Sequence, residues 1–201
     1  CFFGLTLKMI KHSITLTEEE FNRCYSFSKK SAKTQREYRS GGSQVRSVSL
    51  VENDTQRGKV AELIVVNFLK QPPFNIENID LDFEVYPRGV WDSQDFEING
   101  KKMSIKSAKW FSNWLLLETK DIQRGDLYDY YIFVTINKNL KSGEVQGFAT
   151  KDEILNDVNT LKLTKGQNIP NTETILDADN HARKKNYLHN SEEKWINLIK
   201  P

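Results

Sequence analysis

The pair Asn99–Gly100, set in "WDSQDFEINGKKMSIKSAKW" (residues 91–110), is the tightest local constraint in the chain. Two successive residues that tolerate positive φ favour a two-residue type I′ turn, whose twist matches that of paired antiparallel strands. The turn sets Ile98 opposite Lys101, Glu97 opposite Lys102, Phe96 opposite Met103 and Asp95 opposite Ser104. Side chains alternate along a strand, so Asp95, Glu97, Lys102, Ser104 and Lys106 share one face. Phe96, Ile98, Met103 and Ile105 take the other. A slip of one residue would exchange the two sets, so the register is strongly specified.

Other elements follow from pattern. "ITLTEEEFNRCYSFSKKSAK" opens a helix, with Thr17 and Glu20 as a capping box and Leu16 and Phe21 as its hydrophobic staple. "TQREYRSGGSQVRSVSL" reads as a basic, Gly/Ser-containing loop. "DTQRGKVAELIVVNFLKQPP" is a second, apolar helix stopped by Pro72–Pro73. "DLDFEVYP" alternates as a strand, "NWLLLETKDI" is ambiguous, and "YDYYIFVTIN" reads as a buried central strand. "GEVQGFAT" is a short strand and "KDEILNDVNTL" a helix; the chain from Lys165 onward reads as polar and irregular. Central strands with flanking helices predict a mixed sheet in an α/β or α+β fold.

At 201 residues the chain suits one domain, here divided into a helical and basic segment (1–54), a core (55–164) and a C-terminal extension (165–201). The net charge of +2 identifies no partner, so local clusters must carry any case for nucleic acid. Cys1 and Cys24 make neither a disulfide framework nor a zinc site. No apolar run has the length of a membrane span, and "CFFGLTLKM" is too short for a signal peptide, with Met9 a candidate start. The expectation is a cytoplasmic protein without an organic cofactor. Nothing matches a Gly-rich phosphate loop, a zinc deaminase or a G-x-S-x-G elbow.

The hairpin places Asp95 diagonal to Lys106, at about 7–8 Å between backbones. A carboxylate can hold Mg²⁺ through oxygen, while a lysine orients water and offsets charge on a phosphate. A mixed-charge hairpin face is also the ordinary solvated surface of a strand pair. Glu62 sharpens the choice. Its helical neighbours Val65, Val66 and Leu69 are apolar, while Lys59, Asn67 and Lys70 mark the hydrophilic side. At the edge of a buried stripe, a carboxylate needs a partner, a metal or a route to water.

A helix glutamate, a strand aspartate and a lysine on the next strand, in "GKVAE", "DFEINGKKMSIKSAK" and the later "YDYYIFVTIN", resemble the PD-(D/E)XK nuclease superfamily over about residues 55–150. The resemblance implies a restriction-endonuclease-like core. It makes Asp95 a metal ligand, Lys106 the catalytic lysine, Glu62 the helix acid, and the Ile105 backbone carbonyl a further ligand. Ser104 stands where the motif has its second acid, and Gln94 where its name has proline. Glu62 is the first choice to supply the missing carboxylate, then Glu97 on the same face, then Glu118. Some restriction enzymes of the superfamily have Ser-x-Lys followed at about this distance by a helix glutamate. The plainer reading of Glu118, as the end of an amphipathic segment, is preferred. Asp92 reads as a turn residue.

Arg36, Arg39, Gln44 and Arg46 cluster around Gly41–Gly42, with Lys33 and Arg57 beside them and Glu37 as the acid within the cluster. Such residues read base edges and hold phosphates, or form a solvated loop. Arg183, Lys184 and Lys185 make a second basic patch over Tyr187, read as a solvated face that could touch a DNA backbone. His181 and His189 are not taken as ligands, and Trp110 and Trp114 read as core or interface. The resemblance implies a Mg²⁺-dependent endodeoxyribonuclease, with Mn²⁺ as a substitute, acting on double-stranded DNA in the manner of a type II restriction enzyme. A palindromic target would imply a homodimer. The alternatives are a junction-resolving, repair or homing nuclease, or a DNA-binding module without catalysis.

Overall fold

The computed structural model describes residues 12–34, 46–79, 81–86, 95–123 and 128–200. A short strand that the sequence did not announce, β1 (Ser13–Thr15), leads into α1 (Glu18–Ser31). The capping box forms as expected: Glu20 N–H donates to Thr17 Oγ1 at 3.2 Å, and Thr17 N–H to Glu20 Oε2 at 2.8 Å. Leu16 and Phe21 pack against the same core. The second helix, α2 (Val48–Leu69), starts earlier than its apolar pattern suggests. Ser47 caps it by accepting the N–H of Leu50 at 3.2 Å, so part of the expected loop becomes the first helical turn.

The described part of the expected strand, "LDFEVY" (81–86), forms no strand. Asp82 accepts the Glu84 N–H at 2.6 Å and the Tyr86 hydroxyl, local bonds that compete with a ladder. The side chain of Phe83 instead packs against α1, under the Arg23 guanidinium at 3.8 Å.

The main sheet contains β1, β2 (Phe96–Ile98), β3 (Lys101–Lys109), β5 (Tyr130–Ile136) and β6 (Ser142–Thr150), in the order β1-β6-β5-β3-β2. β3 and β5 run parallel, and the other pairs are antiparallel. Parallel neighbours need a crossover. Here it passes through β4 (Trp114–Glu118) and α3 (Thr119–Gln123), which resolves the ambiguous "NWLLLETKDI" into a strand followed by a short helix. As expected from its apolar run, β5 is central and almost wholly buried. β6 bends at Gly147, where φ is +133° and an added Cβ would come within 2.7 Å of the His189 carbonyl oxygen.

α2 covers one face of this sheet, and Val60, Ile64, Phe68, Met103, Ile105 and Ile132 form the core between them. The other face packs on a second sheet, ordered β4-β8-β7, with β7 at Thr160–Leu163 and β8 at Asn180–Lys184. Leu115, Leu117, Tyr131, Phe133 and Ile154 lie in that second core. The expected helix "KDEILNDVNTL" is therefore only α4 (Lys151–Asn156), because its last residues pair with β8.

The reading of the C-terminal portion as irregular is corrected as well. β8 is the middle strand of the second sheet, and α5 (Glu192–Ile199) buries Trp195 against Phe68 and Phe148. The architecture is a mixed α+β fold, a mixed sheet flanked by helices. Among the described residues no helix is long and apolar enough to cross a membrane.

Candidate functional site

The β2–β3 hairpin has the register that its turn implies: Ile98 meets Lys101, Glu97 meets Lys102 and Phe96 meets Met103. Asn99 and Gly100 have φ of 50° and 76°, the positive values of a type I′ turn. Phe96, Ile98, Met103 and Ile105 enter the core beneath α2, which leaves Glu97, Ser104 and Lys106 on the opposite face. Ladder pairing with β2 ends at Phe96. The next inward N–H on that side of β3 belongs to Ile105, and it donates to Asp95 Oδ2. The carboxylate thus replaces a missing ladder partner and is held one residue from Lys106.

Ser104 is fully buried opposite Tyr131, and its Oγ is enclosed without a hydrogen-bond partner. An acid at this position would lose its hydration entirely, a sufficient physical reason for a small neutral residue. Two residues on, the side chain of Lys106 lines two cavities, of about 440 Å³ and about 150 Å³. Glu118 lines both of them as well. Its Oε2 is buried and takes no hydrogen bond, with Lys120 Nζ at 3.4 Å. Alternation explains the placement. Leu115 and Leu117 of β4 enter the second core, so Leu116 and Glu118 point into the cavities. Glu118 ends the segment, as the plainer reading had it, and it also lines the cavities that Lys106 lines. It sits on a strand rather than a helix. Asp121, which the sequence did not single out, lines the smaller cavity beside it.

Glu62 is placed differently. Its Oε2 lies 2.5 Å from Lys59 Nζ, and both side chains are largely buried. Lys59 is therefore not on the hydrophilic side of α2, where the pattern put it. It also donates to the Asp82 carbonyl at 2.8 Å and lies over the rings of Phe27 and Phe83. The carboxylate at the edge of the buried stripe has found a cation on its own helix. Burial, aided by the Glu62 charge, pushes the Cys24 thiol up to about 12. α2 covers the Met103–Ile105 face of β3, whereas Lys106 belongs to the other. Glu97 is exposed opposite Lys102. Among the described residues no three His, Cys, Asp or Glu side chains gather as a metal-holding group.

The basic residues divide sharply. Arg46 and Arg57 both reach Asp54, at 3.4 and 3.2 Å, an acid the sequence reading had not placed with them. They line a groove of about 610 Å³ together with Lys109 and Lys138. Arg36, Arg39, Gln44 and Asp92 lie outside the described residues.

The assignment of Arg183 to a DNA-contacting face is corrected. It is 3% exposed, and its guanidinium donates to Asp157 at 3.1 Å, to Thr160 Oγ1 at 3.1 Å and to the Tyr187 carbonyl. Arg183 lies opposite Leu115 of β4 and Thr160 of β7, on the face of the second sheet that meets the second core, so this arginine points inward. Lys184 is exposed and Lys185 half-buried, and the ring of Tyr187 faces solvent rather than packing beneath them. His189 pairs with Glu153 at 2.7 Å, and His181 sits 3.2 Å from the Thr119 hydroxyl. Trp114 lines the larger cavity, whereas Trp110 is half-exposed rather than core.

No protein-family model matches the chain, and no curated protein or solved structure matches it.

Proposed function

We propose that the chain is a Mg²⁺-dependent endodeoxyribonuclease, of the type II restriction kind, that hydrolyses phosphodiester bonds in double-stranded DNA. The observation that carries this reading is the arrangement around Lys106. Asp95 is held at the Ile105 N–H beside it, and Glu118 shares both of its cavities. The donor set suits a hard cation, because carboxylate oxygens and a backbone carbonyl are what Mg²⁺ accepts. The buried Glu118 Oε2 takes no hydrogen bond and has Lys120 Nζ at 3.4 Å, a carboxylate oxygen that a bound cation would share with that lysine.

Asp95, Glu118 and the Ile105 carbonyl would hold the ion. Mn²⁺ offers the same ligand preference. When bound, the metal supplies an acidified water and neutralises charge on the phosphate. Lys106 lines the cavity wall, where its side chain orients the attacking water and offsets the charge that develops on the phosphoryl oxygens. Glu62 is reassigned in this scheme to an ion pair that supports α2. A palindromic target would require a homodimer with two such sites.

The test is cleavage of a long defined DNA in Mg²⁺, with the ends sequenced. Discrete fragments support a restriction enzyme. Selective cutting of four-way junctions supports a resolvase instead. Binding without cleavage in Mg²⁺ or Mn²⁺ replaces the nuclease with a DNA-binding module.

A further inference from the structure

β3 leaves the sheet through Lys109 and delivers two aromatic rings to the surface. Trp110 is 50% exposed and Phe111 61% exposed, with centroids 5.4 Å apart and planes at 90°. Large apolar groups shown to water in adjacent positions call for an occupant. Their surroundings indicate its charge. The two rings line a hollow of about 330 Å³ with Arg57, Lys109, Lys138, Leu140, Ile136 and Asn137. Lys138 Nζ lies over the Trp110 ring at 5.5 Å. Arg57 is shared with Asp54, and Asp177 lies across the adjoining groove; among the described residues the other charges at this rim are cationic. Lys109 and Asp177 connect this groove to the cavity of Lys106 and Glu118, since Lys109 lines both the groove and the hollow and Asp177 lines both the groove and the cavity.

We propose that Trp110 and Phe111, flanked by Arg57, Lys109 and Lys138, form a stacking site for an unpaired nucleotide of a bound nucleic acid strand. This rests on the nucleic-acid part of the function proposed above and adds a preference to it. An aromatic platform ringed by cations is how a protein holds single-stranded nucleic acid without reading its sequence: the ring takes the π-face of a base and the cations take the phosphates. A second copy of this chain would also cover the rings, but it would have to bury the cations at the rim without partners, at a cost that a polyanion avoids. Trp110 lies four residues beyond Lys106, just past the end of the same strand, so the platform stands roughly 13 Å from the lysine, about four base-pair steps of B-DNA. A strand that reached from one to the other would present an unstacked base near the cut rather than at it.

The experiment is binding by fluorescence anisotropy, with Ca²⁺ in place of Mg²⁺, to three labelled oligonucleotides. These are a single strand, its paired duplex, and that duplex with one unpaired base. The double variant Trp110→Ala, Phe111→Ala is expected to bind the single strand and the bulged duplex about ten-fold more weakly or worse, and the paired duplex unchanged. Trp110→Phe, which keeps a ring, should restore most of the loss. Lys109→Ala with Lys138→Ala should weaken all three and flatten the salt dependence. Equal loss on all three ligands in the aromatic double variant, or no loss on any, overturns the proposal. So does a change in oligomeric state with DNA binding intact, which would assign the rings to a second copy.

The two readings fail separately. A protein that cuts DNA, and whose Trp110→Ala, Phe111→Ala variant binds the single strand and the bulged duplex as wild type does, sinks only the stacking site. One that binds unpaired DNA through them and never cuts sinks only the nuclease. One that binds no DNA sinks both.

Discussion

Lys106 on β3 and Glu118 on β4 line the same two cavities, although they stand twelve positions apart in the chain and on strands of different sheets. Glu62, the first candidate from the sequence, is bound instead to Lys59 at 2.5 Å. The two acids therefore separate by assay. Glu118→Gln should lower Mg²⁺-dependent cleavage by about 100-fold or more and leave urea unfolding nearly unchanged. Glu62→Gln should do the reverse. It leaves the buried Lys59 ammonium without its carboxylate and should lower the unfolding free energy by about 2–3 kcal/mol, read as a lower urea midpoint, with cleavage retained. Loss of cleavage in a stable Glu62→Gln protein would return the role to Glu62.

Arg183 gives a prediction of opposite kind from the one its sequence context invites. Buried between β4 and β7, it bonds Asp157, Thr160 and the Tyr187 carbonyl. Arg183→Met should destabilise the fold by about 3 kcal/mol through unmade hydrogen bonds and released acids. The salt dependence of DNA binding should not move, since no phosphate contact is removed. A shallower salt slope with unchanged stability would restore it to the interface.

Acid sensitivity should run through Glu153. Burial raises the pKa of this carboxyl, but the Thr150 N–H at 2.8 Å and His189 at 2.7 Å outweigh that and hold it below its ordinary 4.5. A carboxyl depressed in the folded state contributes stability above its unfolded pKa, and that contribution is lost as pH falls through the folded one. The urea midpoint should therefore fall below about pH 4.5, and fall less steeply in Glu153→Gln. An unchanged acid limb in that variant would remove Glu153 from the account.

The parts of the fold governed by local rules were legible. The Asn99–Gly100 turn set the hairpin register, Thr17 and Glu20 set the start of α1, and the apolar run of β5 marked a central strand. Long-range pairing was not legible. Nothing near residue 180 tells that Asn180–Lys184 will lie between β4 and β7, and that pairing turns Arg183 inward. The site divides in the same way. Period two brought Ser104 and Lys106 to one face of β3, whereas pairing ends at Phe96 and Asp95 binds the Ile105 N–H instead, and the crossover through β4 decides that Glu118 lines the cavities of Lys106. The cation that claims Glu62 was three residues away on the same helix. Pattern alone placed it on the hydrophilic side, because Phe27 and Phe83, which cover Lys59, come from outside α2.

Lys106→Ala carries the central claim most directly. Wild type and variant would be incubated with a long defined DNA in Mg²⁺, the products sequenced at their ends, and binding measured in Ca²⁺. The account predicts discrete fragments from the wild type, cleavage lowered by at least about 100-fold in the variant, and equal binding by both. Fragments of the same kind and rate from Lys106→Ala, or a wild type that binds DNA and never cuts it in Mg²⁺ or Mn²⁺, would contradict it.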